Sequence, residues 1–166
     1  TSAPRIAAVG ATLYAVWAED RTTALADIYF NRSTDGGGNW GASDLRLNTD
    51  APGTGISENP QIVANGANVY VVWEDWRNGV RDIYFNRSTD SGVTWLANDV
   101  RVDTDTPGAA ASFQVRLSAS GQNVYVVWAD NRNPVNWEIY FNRSTDGGST
   151  WLANDVAVGG LPGLSL

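Results

Sequence analysis

Eight residues, STDGGGNW from Ser33 to Trp40, return as STDSGVTW at Ser88–Trp95 and as STDGGSTW at Ser144–Trp151. The spacing between copies is 55 and then 56 residues, so the chain is an array of near-equal units. Such periodicity constrains the fold more than any local propensity, because one unit cannot bury its own apolar face and relies on its neighbours. The similarity runs well beyond the eight residues. LYAVWAED, VYVVWEDW and VYVVWADN carry Trp17, Trp73 and Trp128 in register, and DIYFNRS or EIYFNRS precedes each box.

Each unit parses into four short strands. In the second they are PQIVANG, NVYVVWED, DIYFNRS and TWLANDVRV, rich in β-branched and aromatic residues and separated by Gly, Asn and Asp. In NVYVVW, Val69, Val71 and Trp73 point to one side, and Tyr70 and Val72 to the other. Both sides are apolar, so the sheet is expected to lie between two neighbours, unlike a sheet with one wet face. Four-stranded units of this length, stacked face to face, describe an all-β propeller. The expected blades are residues 1–50, 51–105 and 106–166, the last including a C-terminal linker.

The eight-residue box falls where the third strand turns into the fourth. Its Asp (Asp35, Asp90, Asp146) is placed to accept backbone N–H groups inside the turn, with Ser33, Ser88 and Ser144 two residues earlier. Gly37, Gly92 and Gly148 are free to take positive φ. Trp40, Trp95 and Trp151 are expected to fold back beneath the turn. The pattern S-x-D-x-G-x-x-W resembles the Asp-box, or BNR repeat, of the sialidase-like propeller family, and the resemblance covers essentially the whole chain. In that family the box is a structural turn remote from the catalytic face, which implies a structural role here.

Three blades are fewer than the roughly four to eight of a closed propeller. Four strands about 4.8 Å apart and five residues at about 3.3 Å give an end face of about 300 Å². Covering it is worth up to about 8 kcal/mol. The expectation is that two chains close head-to-tail into a six-bladed homodimer. The alternative is a piece of a longer propeller, and the missing initiator Met fits either processing or such a piece.

Composition narrows the chemistry. Cys, His, Met and Lys are all absent, which removes thiol nucleophiles, imidazole bases and ligands, and lysine chemistry. Carboxylate, Tyr, Arg and hydroxyl groups remain. The net charge of −7 argues against nucleic acid and anionic membrane as partners. No motif implies a cofactor. The tracts NTD (Asn48–Asp50) and DTD (Asp103–Asp105) offer fewer oxygens than the six to eight of a calcium site, so no metal is assigned. The three NRS sequons, at Asn31, Asn86 and Asn142, lie in paired strands and read as structural repeats, against a formal reading as glycosylation sites.

A four-strand meander puts the boxes on one face of the array and the variable loops on the other, where ligand sites are favoured. On that second face stands the motif W-x-[DE]-x-R, as Glu19 with Arg21, Asp75 with Arg77, and Asp130 with Arg132. It reads either as a brace between blades or as a ring of polar ligand contacts. Trp76, Trp137 and Phe113 fall outside the repeat frame, with Phe113 expected in a linker; they suit either sugar stacking or blade packing. The resemblance to sialidases implies three Arg on a sugar carboxylate, a Tyr nucleophile paired with Glu, and an Asp acid. Arg5-Ile6-Ala7 and Arg116-Leu117-Ser118 match that family's Arg-Ile-Pro motif in part, and no Tyr–Glu pair can be assigned. The expected function is a non-catalytic propeller module, extracellular and glycan-binding through the loop face. The alternatives are a fragment of a sialidase-type glycosidase and a purely structural module.

Overall fold

A computed structural model describes residues 2–21 and 25–160. Thr1 and residues 161–166, the end of the expected C-terminal linker, lie outside them. Blade 1 comprises β1 (Ser2–Val9), β2 (Thr12–Glu19), β3 (Asp27–Ser33) and β4 (Leu45–Arg46). Blade 2 comprises β5 (Ser57–Asn65), β6 (Asn68–Asp75), β7 (Asp82–Ser88) and β8 (Val100–Arg101). Blade 3 comprises β9 (Ser112–Ser120), β10 (Asn123–Asp130), β11 (Glu138–Ser144) and β12 (Val156–Gly160). Each is a four-stranded antiparallel meander, and the first strands β1, β5 and β9 lie side by side.

Two strand assignments differ from expectation. The segment TWLANDVRV forms only the two-residue β8, because residues 94–99 are committed to the box turn and to side-chain bonds with Asn86. Phe113 lies within β9 rather than in a linker. The first strand of every blade also carries a bulge at one equivalent site. Ala3, Asn59 and Gln114 have φ near +52 to +55°, and pairing with the second strand shifts register beside them.

The two-sided pattern of β6 is realised. Val69, Val71 and Trp73 enter a core shared with Tyr14, Val16, Ile28 and Phe30 of blade 1. Tyr70 and Val72 enter another, shared with Val115, Val124, Val126 and Trp128 of blade 3.

The boxes are turns and, at the same time, joints between blades. In the second, Ser88 Oγ accepts Gly92 N–H (2.8 Å) and donates to Asp90 (2.7 Å), which also accepts Thr94 N–H (2.8 Å). These donors hold the Asp90 and Asp146 carboxyls below the usual carboxylate range, chiefly through Thr94 and Thr150. Asp35, bonded by Asn39, falls to about 2. Two of the box tryptophans also reach across to the preceding blade. Trp95 meets Phe30 of the preceding blade edge-on at 4.8 Å, and Trp151 meets Phe85 at 5.0 Å. The preceding blade's Arg completes the joint, with Arg32 donating to the Ser91 carbonyl (2.8 Å) and Arg87 to that of Gly147 (2.5 Å).

Asn86 and Asn142 are fully buried and donate to the Leu47 and Val102 carbonyls of the preceding blade. Their amides are structural in the folded chain.

The joint explains the box glycine. Gly148 has φ +86°, and a Cβ there would stand 2.5 Å from Phe85 Cζ. Gly121 also has positive φ, yet a Cβ would meet nothing within 4 Å. Gly148→Ala is therefore expected to cost about 2–4 kcal/mol, combining backbone strain with overpacking, and Gly121→Ala about 1 kcal/mol. Urea unfolding of the two variants measures the difference; equal costs would contradict the joint.

Candidate functional site

The loop face opposite the boxes carries two kinds of charged structure. The first repeats in every blade. Arg77 lies 3.9 Å from the Tyr84 ring centroid and bonds Asp75 (2.6 Å) and Asp99 (2.9 Å), while Trp73 Nε1 and Ser57 Oγ donate to the same Asp75. Arg132 repeats this over Tyr140 with Asp130 (2.7 Å) and Asp155 (2.9 Å). Arg21 does so over Tyr29 with Glu19 and Asp44. Burial pushes the Asp75 and Asp130 carboxyls up, but the Arg bonds outweigh it and both end lowered. Asp99 also receives the Thr49 N–H from blade 1 and donates its own to Thr49 Oγ1; Thr104 and Asp155 repeat this exchange between blades 2 and 3. The motif W-x-[DE]-x-R is thus a brace within each blade, tying the second strand to the segment before the fourth, and the Thr–Asp exchange carries that tie to the preceding blade.

A second buried cluster also belongs to the framework. Asp82, Asp103 and Asp105 converge, and Arg101 Nη2 stands among them at 3.2, 3.0 and 2.5 Å. The guanidinium fills the place a cation would take. Blade 1 has the same arrangement with Asp27, Asn48, Asp50 and Arg46, so Asn48 replaces Asp103. Burial, with repulsion from Asp82 and against the pull of Arg101, raises the Asp103 carboxyl above its ordinary value. The native state then holds the proton more tightly than the unfolded chain does, and this group's contribution to stability falls as pH rises above about 4. Asp103→Asn is expected to leave stability unchanged near pH 4 and raise it by at least about 1 kcal/mol at pH 8, measured by urea unfolding at both values.

The third structure breaks the repeat. At two equivalent positions, one opening the first strand and one preceding the third, blade 1 has Ser2 and Ala26. Blade 2 has Glu58 and Arg81 there, an ion pair at 2.8 Å. Blade 3 has Phe113 and Trp137, an edge-to-face pair at 4.4 Å. Trp76, where the other blades have Asp20 and Asn131, donates to Glu58 (3.0 Å) beneath the Arg81 guanidinium, 4.8 Å from its ring.

Glu74, where the other blades have Ala18 and Ala129, sits directly across the strand pair from Glu58 and is only 2% exposed. It accepts Gln114 N–H of blade 3 (2.7 Å) and Asn59 Nδ2 (3.1 Å), and lies 3.4 Å from Arg81. Burial raises its carboxyl above the ordinary value despite those bonds. The residues that depart from the repeat therefore lie on the loop face of two adjoining blades: a half-exposed ion pair and indole above a buried acid, and an aromatic pair in the next blade.

Of the residues read from sequence, Trp76, Phe113 and Trp137 fall in this region. Glu19, Arg21, Asp75, Arg77, Asp130 and Arg132 form the brace. Arg5 and Arg116 are exposed on β1 and β9, donating to the Pro4 and Val115 carbonyls (both 2.9 Å). Glu58, Asn59, Glu74 and Arg81 were missed. Their signal was available: each differs from its counterparts in the other two units.

No protein-family model and no curated protein sequence matches the chain. Its structural relatives include a Hadza microbial sialidase, with TM-score 0.66 and 16% identity over 90% of this chain and 36% of that one. An α-L-arabinofuranosidase of Fusarium graminearum follows, with TM-score 0.63 and 16% identity over 89% and 45%. A family 117 glycoside hydrolase of Zobellia galactanivorans has TM-score 0.60 and 12% identity over 92% and 54%. The fold is that of the sialidase-like β-propellers. This chain spans about a third to a half of those sialidase-like enzymes, and the identities carry the fold alone.

If the ion pair and Trp76 shield the acid, Arg81→Ala is expected to lower Glu74 acidity further by removing a cation. Carbonyl-detected NMR titration of Glu74 checks this; an unmoved or lowered pKa would contradict it.

Proposed function

We propose that this chain is the carbohydrate-recognition part of a sialidase-like propeller, binding a glycan non-catalytically across the loop face of blades 2 and 3. The observation that carries the reading is the placement of the repeat-breaking residues. These positions differ in every blade, and in blade 3 Phe113 and Trp137 offer ring faces and edges to sugar C–H groups. Glu58 and Arg81, about a quarter to a third exposed, offer an acceptor and donors to hydroxyls. The remaining chemistry supports binding over catalysis. The brace carboxylates are held ionised by Arg, and Tyr70, Tyr84 and Tyr140 are pushed toward higher pKa by burial, which opposes a phenolate nucleophile.

The glycosidase reading rests on one observation, Glu74, a buried acid whose raised pKa suits proton donation. The structural relatives have been seen with arabinobiose and with a fluorinated sialic acid, which supplies the first ligands to try. Titration of arabinobiose and sialyllactose, followed by tryptophan fluorescence, is expected to show millimolar or tighter binding of at least one. Trp137→Ala should weaken it by about tenfold or more. Absence of binding to either sugar, or binding indifferent to Trp137, would overturn the proposal. Hydrolysis abolished by Glu74→Gln would establish the glycosidase reading in its place.

A further inference from the structure

The two joints within the chain define what a blade offers on each side, and the outer faces of blades 1 and 3 offer the two halves of a third joint. Toward the following blade, a blade presents a stacked Tyr–Phe pair, Val and Ile, an Arg beyond them, and an apolar residue after the fourth strand. Blade 2 presents Tyr70, Val72, Ile83, Phe85, Arg87 and Val102, and blade 3 covers them. Blade 3 carries the same set outward as Tyr125, Val127, Ile139, Phe141, Arg143 and Val158. Its Tyr125–Phe141 pair has the geometry of the joined blades, 6.3 Å and 21°, against 6.2 Å and 24° for Tyr70–Phe85. The difference lies in exposure. Ile139 and Val158 are 38% and 57% exposed, whereas Ile83 and Val102 are 0% and 1%.

Toward the preceding blade, a blade presents the box Trp, the sequon Asn and the Asp that opens its fourth strand. Blade 1 carries Trp40, Asn31 and Asp44 there. Trp40 is 40% exposed, and among the described residues Asn31 bonds within its own blade, to the Gly41 carbonyl and Asp44, where Asn86 and Asn142 reach across a joint.

We infer that the outer face of blade 3 docks on the outer face of blade 1 of a second copy. The contact is head-to-tail, and its repetition at the other end makes a two-fold ring of six blades. Continuity with the existing joints carries the argument. Phe141 takes the place of Phe85 against Trp40 of the partner subunit, and Arg143 takes the place of Arg87 at its box. Four faces of about 300 Å² give about 1,200 Å², the lower end of stable interfaces. One element is missing. Gly160 stands where Thr49 and Thr104 exchange hydrogen bonds with the next blade's Asp, so the joint between copies lacks that clasp and is the weakest in the ring.

The test is the mass by light scattering across a dilution series, with Phe141→Asp and Trp40→Asp variants. Both substitutions lie on outer faces, so each variant should keep the wild-type circular dichroism spectrum. The wild type is expected at twice 17.8 kDa and each variant at 17.8 kDa alone. An equimolar mixture of the two should regain dimer, because one joint then has both partners intact. Gly160→Thr should lower the dissociation constant about fivefold or more by restoring the clasp. A wild-type mass of 17.8 kDa at every concentration would overturn the proposal. A dimer that survives Trp40→Asp or Phe141→Asp would replace the head-to-tail joint with a symmetric contact, and a mixture that stays monomeric would overturn the joint.

Discussion

Everything in this structure depends on sheets that are apolar on both faces and on what fastens one to the next. A single four-stranded blade would leave Val69, Val71 and Trp73 wet on one side and Tyr70 and Val72 wet on the other. Stacking removes both exposures, and the Asp-box fixes the stacking geometry. Its Gly lets the preceding Phe approach closely, its Trp closes on that Phe, and its carbonyl receives the preceding Arg. The repetition of the box is thus the repetition of a joint. The Thr–Asp exchange and the Asn-to-carbonyl bonds add polar register to an apolar contact.

On the opposite face the same economy separates framework from specificity. The Arg of each W-x-[DE]-x-R motif is sandwiched between a Tyr ring and two carboxylates, and this is repeated with little change. Function has room to vary only where the repeat is not holding blades together. The positions occupied by Ser2 and Ala26, by Glu58 and Arg81, and by Phe113 and Trp137 are such places. They exchange small, ionic and aromatic pairs without disturbing the strands. Glu74 is a departure that reaches the interior, and its cross-strand neighbour Glu58 gives it a like charge to contend with; Arg81, bonded to Glu58, lies close to both.

The fold was legible in the sequence because its constraint is periodic. Three boxes and three copies of the YxVW and IYFNRS patterns specify strand order, two-sided burial and the face on which each turn lies. Three features were not legible. The fourth strand of blade 2 was read too long, because side-chain bonds from Asn86 replace ladder bonds in residues that look strand-like. The contacts of Trp95 and Trp151 with the preceding blade's Phe were not read, since spacing along a chain does not reveal a contact across blades. The positive-φ bulges at Ala3, Asn59 and Gln114 carry no glycine to announce them. At the candidate site, the conspicuous aromatics were found but the acid was not. Glu74 lies inside a strand motif whose likeness to its neighbours drew attention away from the one residue that differs.

The Phe–Trp contact between blades, rather than the box turn alone, holds the array together. A double-mutant cycle on Phe85→Leu and Trp151→Leu, measured by urea unfolding, tests this most directly. The account predicts a coupling energy on the order of 1 kcal/mol between these residues of different blades. Additive effects, with no coupling between Phe85 and Trp151, would contradict it and return the box to the role of an isolated turn.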